Sequence, residues 1–162
     1  DPRGCGEHVY LNLGTALLNL GRVDEAITAL QSALRKNADY DMAHFSLGNA
    51  RLQAGDVPGA IDAYRDAVRV NPAYADAYVR LGVALNRNGL PQQALDSFRK
   101  GLAAVSSQTS AWVPIEAHFQ MGKVLLALGR KAEAAKSFRA ALRINPGHAG
   151  AKDGLRAAGG PR

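Results

Sequence analysis

A repeat step of about 34 residues constrains this chain more than any other feature of it. Gly14, Gly48 and Gly82 stand at that step, as do Gly21, Gly55 and Gly89, and Ala26, Ala60 and Ala94. Gly122, Gly129 and Ala134 repeat the pattern after a longer step, so an insertion precedes a fourth copy. Self-similarity at a period of this length marks an array of supersecondary units, none of which buries its apolar face alone. The copies span 7–40, 41–74, 75–108 and 115–148, with the insertion at 109–114, a lead-in at 1–6 and a tail at 149–162.

Apolar residues within each copy recur three and four apart, as in Leu13, Ala16, Leu17 and Leu20 or Ile61, Tyr64, Ala67 and Val68. That is the period of a helix with one buried face. The spacing predicts helices over 7–20 and 23–36, 41–54 and 58–70, 75–88 and 91–105, and 115–128 and 131–144. Gly21, between the first two, lets a helix end with positive φ at little cost. Asp56 is placed to cap a helix start, with Pro58 in the first turn. Asn71-Pro72 stops the same helix, because proline disfavours helical geometry in the residue before it; Asn145-Pro146-Gly147 closes the fourth copy. No alternating strand pattern between hairpin turns occurs, so the expected class is all-α. Residues 149–158 begin one more helix that caps the array, weakened by Gly150 and Gly154, and 159–162 are expected to fray.

These positions resemble the tetratricopeptide repeat family, whose pattern sets an aromatic, Leu-Gly and a large residue, then Ala, an aromatic, Ala and Pro. The third copy supplies Tyr78, Leu81, Gly82, Leu85, Ala94 and Phe98, and the second His44, Leu47, Gly48, Ala60, Tyr64, Ala67 and Pro72. The first supplies Tyr10, Leu13, Gly14, Leu17, Ala26, Leu30 and Ala33; the fourth His118, Met121, Gly122, Leu125, Ala134, Phe138, Ala141 and Pro146. Arg51 departs from the large apolar residue, Gly101 from an alanine, and Ala38 and Ser106 from the proline, each expected to loosen its junction. The resemblance covers 7–148 and implies a right-handed α-solenoid of four helix-turn-helix units with a short C-terminal capping helix. The glycines at 14, 48, 82 and 122 fit such close helix approach, and Tyr64, Phe98 and Phe138 are large enough to fill the space between units.

The resemblance also implies that the first helices line a concave groove and the second helices form the convex back. Its groove positions fall on His8, Leu11, Thr15, Leu18 and Asn19, then Met42, Phe45, Asn49, Leu52 and Gln53. The third copy places Asp76, Val79, Val83, Asn86 and Arg87 there, and the fourth Glu116, Phe119, Lys123, Leu126 and Ala127. Phe45, Val79, Val83 and Phe119 offer apolar anchors, while Asn49 and Asn86 both donate to and accept from a peptide backbone. The competing reading is that some of the apolar ones only complete packing between helices. Some family members set a clamp of Lys, Asn and Arg on the first helices for the acidic C-termini of chaperones; here Leu11, Thr15 and Asp76 stand at its sites and only Asn49 and Arg80 match it, which argues against that use.

Chemistry-bearing residues are sparse. His8, His44, His118 and His148 are scattered without metal-ligand spacing, and His44 and His118 take the aromatic site of the repeat. Gly4-Cys5-Gly6 lacks the Gly-Lys-Ser/Thr of a phosphate loop, and the single cysteine forms no internal disulfide. No carboxylate pair has assignable acid and base roles. The expectation is a non-enzyme with no cofactor and no metal. The longest apolar run near the end, 124–128, is five residues, far short of the ~20 of a membrane span, and the expected location is cytoplasmic.

Net charge is +6, divided as −2 over residues 1–74 and +8 over 75–162. Lys136, Arg139 and Arg143 fall on one side of a second helix, a surface for an acidic partner; without interleaved aromatics, nucleic acid is not expected. Trp112, the only tryptophan, lies in the insertion and is expected to pack over the junction, with Pro114 in a first helical turn. The sequence reads as a protein-interaction adaptor or scaffold that holds a partner's protein or peptide segment in the groove. Two alternatives are a recruiting or regulatory domain of a larger enzyme, and a scaffold that forms homo-oligomers through its terminal units.

Overall fold

A computed structural model describes residues 6–159. The rest of the lead-in with Cys5, and Gly160, Pro161 and Arg162 of the tail, lie outside the described residues. The described residues form helices α1 (Gly6–Asn19), α2 (Val23–Lys36), α3 (Asp41–Gln53), α4 (Val57–Val70), α5 (Ala75–Arg87), α6 (Pro91–Ala103), α7 (Trp112–Ala127), α8 (Lys131–Ile144) and α9 (Ala149–Ala157), with no strand among them. The class is all-α.

Most boundaries fall within two residues of the spacing-based expectation, and two are set by the residues named for them. Asp56 caps α4, its Oδ1 accepting from the Gly59 amide at 2.9 Å, with Pro58 in the first turn. Gly21, Gly55, Gly89 and Gly129 separate the paired helices with φ of 74, 84, 77 and 74°. A Cβ at these four would meet nothing within 4 Å, so backbone conformation and not space asks for glycine there.

One boundary differs. α7 starts at Trp112, ahead of the expected 115, and takes in half of the insertion. Pro114 falls in its first turn, where the missing N–H has no intrahelical partner to lose, and the Val113 amide bonds to the Ser110 carbonyl at 3.0 Å. The remaining connector is closed by the Thr109 hydroxyl, which accepts from the Ser106 amide at 2.9 Å.

The chain divides into two compact units, the first ending at Ala77 and the second starting at Tyr78. In the N-terminal unit Leu11, Leu30, Ala33, Ala43, Leu47, Ala50 and Ala63 form the main core, with Ile27, Leu34 and Tyr40 against it. Close approach within each helix pair depends on glycine. A Cβ on Gly14 would sit 2.6 Å from Leu30 Cγ, and one on Gly48 would sit 2.5 Å from the Tyr64 ring. Two asparagines close the pairs. Asn37 and Asn71 each accept a backbone N–H two residues on at 3.1 Å, and their amides reach back to Glu7 (3.4 Å) and Asp41 (2.6 Å) in the first helix of the same pair. The exit at Asn37 is therefore held although Ala38 replaces proline.

Arg51 also departs from its expected effect. Its guanidinium donates to the Gly59 carbonyl at 3.0 Å and lies 4.0 Å from Asp56, which ties the end of α3 to the start of α4 where a loosened junction was expected.

In the C-terminal unit Phe98 and Phe138 are among the largest wholly buried side chains. A Cβ on Gly82 would lie 2.5 Å from Phe98, and one on Gly122 would lie 2.6 Å from Phe138. α9 packs against α8 and α7. Gly154 brings its backbone onto the Phe138 ring, and a Cβ on Gly150 would lie 2.9 Å from Phe119. The two glycines read as weakening the cap are thus also what allows it to seat. His148 starts α9 as its N-cap, Nδ1 accepting from the Ala151 amide at 3.0 Å.

Candidate partner-binding site

The first helices of the N-terminal unit frame an open depression of about 480 Å³, lined by Leu11, Asn12, Thr15, Ala16 and Asn19 of α1, Met42, Phe45 and Ser46 of α3, and Tyr74. Helical spacing puts positions three and four apart on one face, so Leu11, Thr15 and Asn19 line one wall and Met42 and Phe45 the other. Phe45 is half-buried, its ring 5.0 Å from that of Tyr74 and 6.0 Å from that of Tyr64 between centroids. Met42 is exposed at the mouth. Thr15 is exposed too, its hydroxyl donating to the Leu11 carbonyl at 2.9 Å.

Not every residue expected in the groove offers surface. Leu11 lines the depression but belongs to the core. Asn49, half-buried, accepts from the Tyr64 hydroxyl at 2.7 Å, which ties one of the two lone pairs of its carbonyl to the core. Leu52 is half-buried and does not line the depression.

Tyr74 was missed. It stands at the last position of its repeat, and Tyr40 holds the same place one repeat earlier, so the period carried the signal. The Tyr74 hydroxyl is pushed up to about 12 by burial and then by the charges of Asp76 and Asp41, which keeps it a neutral hydrogen-bonding group. Burial, then Glu7 and Asp41, likewise raise Tyr40. Carboxylates at the N-terminal ends of the first helices thus stand near both tyrosines.

In the C-terminal unit Val79 is wholly buried and leaves the set of contact residues. Val83 is half-buried, while Asn86 and Arg87 are exposed near the end of α5. Phe119 is half-buried between Phe138 and His148, with ring centroids at 6.2 and 4.7 Å. The exposed Lys123 sets its Nζ 5.4 Å from the Phe119 ring, a cation–π pair at a wet surface. Trp112 packs in part as expected: it is half-buried, with the Arg80 guanidinium 5.2 Å from its ring. His118 is half-buried in α7, and burial, aided by Arg143, lowers its pKa. Lys136, Arg139 and Arg143 are exposed on α8.

Among the described residues no three His, Cys, Asp or Glu side chains group as metal ligands, and no helix is long and apolar enough to cross a membrane.

Family models described as tetratricopeptide repeat match residues 11–69, 47–109 and 115–148. Among solved structures, one titled as the crystal structure of MamA is 27% identical, with a TM-score of 0.78 over 90% of this chain and 81% of that one. The structure titled YrrB, a TPR protein with an unusual peptide-binding site, is 24% identical, with a TM-score of 0.75 over 92% and 74%. Pseudomonas aeruginosa pilF is 20% identical, with a TM-score of 0.84 over 98% and 69%. These likenesses put the fold in the α-solenoid class. No curated protein sequence matches.

Proposed function

Because the chain belongs to the tetratricopeptide repeat family, a family of interaction modules, we propose that it holds a segment of a partner protein on the first-helix face of its N-terminal unit. The observation that supports this most is the depression of about 480 Å³ between α1 and α3. It combines a half-buried aromatic, Phe45, with an exposed methionine and polar groups from Thr15, Asn19 and Tyr74. An apolar anchor for one side chain with a few polar groups around it suits a peptide. Among the solved structures that resemble this chain, YrrB is titled for a peptide-binding site, which agrees with the reading. On the same reading Asn86, Arg87, Phe119 and Lys123 are the groove positions of the C-terminal unit, where Arg87 and Lys123 carry positive charge.

The test is affinity capture from native lysate, with wild type beside Thr15→Arg and Met42→Glu, followed by mass spectrometry. Both positions are exposed, so the substitutions fill or charge the depression without touching the core. The expected result is a partner retained by wild type and lost by both variants at unchanged helicity. A partner retained equally by all three overturns the assignment to this depression.

A further inference from the structure

The second helices turn one side to solvent, and α8 carries a different charge pattern there. On α4 that side pairs its own charges, Asp62 with Arg65 at 3.5 Å and Asp66 with Arg69 at 3.3 Å. On α6 Asp96 holds Arg99 at 2.8 Å. The places of Asp62, Arg65, Asp66 and Arg69 are taken on α8 by Lys136, Arg139, Ala140 and Arg143. Both carboxylates of the α4 pattern are gone. Glu133, one turn earlier, is bonded to Arg130 at 2.7 Å, and among the described residues no carboxylate pairs with Lys136, Arg139 or Arg143.

Left to itself, this stripe works against the helix that carries it. Lys136 and Arg139 stand three apart and Arg139 and Arg143 four apart, so like charges are neighbours on one face. Their field reaches beyond the stripe. Glu133 has its pKa lowered first by its bond to Arg130 and further by Arg99 and Lys136. At the other end Arg143 adds to the burial that lowers the pKa of His118. An anion seated on the stripe relieves the repulsion. The stacking of helix pairs does not cover this side: α7 packs on α6 and leaves Asp96 and Arg99 exposed, and α9 packs on α8 and leaves Lys136, Arg139 and Arg143 exposed.

We propose that the solvent side of α8 docks an acidic segment of a partner protein through Lys136, Arg139 and Arg143. The three cations lie along about 10 Å of one helix, at ~1.5 Å per residue. A helix laid antiparallel on α8 meets them with carboxylates at i, i+4 and i+7. The make-up of the stripe separates this partner from other anions. Ala132, Lys136, Arg139 and Arg143 follow one another along it, with no aromatic ring on which a nucleic-acid base stacks. The same four positions hold no large apolar side chain to enter a bilayer. A bilayer is also wider than one helix, and α6, whose Arg99 acts on Glu133, presents the neutralised Asp96–Arg99 pair beside the stripe. A narrow line of charge fits a single acidic segment.

The probe is an alanine-based helical peptide with glutamates at i, i+4 and i+7, titrated into the isotope-labelled full chain at low salt and followed by amide NMR shifts. Saturable shifts are expected on α8 from Lys136 to Arg143, weakening as salt rises. Lys136→Asp sets a carboxylate against Arg139 as Asp62 is set against Arg65. It is expected to raise the apparent Kd about threefold to tenfold. Lys152→Asp, on the exposed side of α9, changes net charge equally and is expected to leave the Kd unchanged. Both positions are exposed, and circular dichroism confirms that each variant keeps its helices. Absence of shifts in wild type overturns the proposal. So do shifts spread over exposed lysines and arginines of the whole chain, or a Kd raised equally by Lys152→Asp. Vesicles of phosphatidylcholine with phosphatidylserine are the comparison. Pelleting of wild type with them that Lys136→Asp abolishes makes the face a membrane contact and overturns the protein partner.

Discussion

Asn49 shows how one residue reads differently by sequence and by structure. Its place on the inner side of a first helix made it a partner contact, but its carbonyl is the acceptor for the hydroxyl of the buried Tyr64. Asn49→Ala removes that acceptor and is expected to destabilise the chain by about 1–3 kcal/mol in urea unfolding. Thr15→Arg, on the exposed side of α1, should stay within about 0.5 kcal/mol of wild type. His118 adds a pH effect. Burial, aided by Arg143, puts its folded pKa below the ordinary 6.5, so the unfolded chain takes up the proton more readily. Its contribution to stability is full above 6.5 and is lost as the pH falls below that value through the lowered folded pKa. The melting temperature should drop from about pH 7 to about pH 5, less steeply in His118→Tyr, since tyrosine fills the same position as Tyr10 and Tyr78 and carries no charge there.

At the scale of elements, glycines at two kinds of place fail in two different ways. Gly55 between α3 and α4 has φ of 84° and open space around it, so Gly55→Ala strains only the backbone, by about 1–2 kcal/mol. Gly154 is helical and lies against the Phe138 ring, so Gly154→Ala overpacks the seat of α9. The expected loss is about 1–3 kcal/mol. Hydrogen exchange separates the two: Gly154→Ala speeds exchange of the α9 amides first, whereas Gly55→Ala acts on the α3–α4 pair. The boundary at Gly55 was legible because a helix stop is written in a few adjacent residues. The role of Gly154 was not, because it depends on the ring of Phe138 in the preceding helix.

Across the whole molecule, stability in a repeat array is close to a sum of units and nearest-neighbour contacts. Asn49→Ala and Gly154→Ala share no partner, so the double variant is expected to lose the sum of the two single losses to within about 0.5 kcal/mol in urea unfolding. The sequence alone determined the repeat, its helix pairs, the glycines that let paired helices meet, and the family. The repeat period and the helical spacing of apolar residues are patterns along the chain, and they survive without coordinates. Tertiary structure alone decided which members of that pattern meet solvent. It buried Val79, paired the Asn49 carbonyl with the Tyr64 hydroxyl, brought Tyr74 beside Phe45, and left Val9 and Leu13 open where their counterparts are closed. Exposure and hydrogen-bond pairing depend on neighbours one helix or one repeat away, and equivalent letters of a repeat do not have equivalent neighbours.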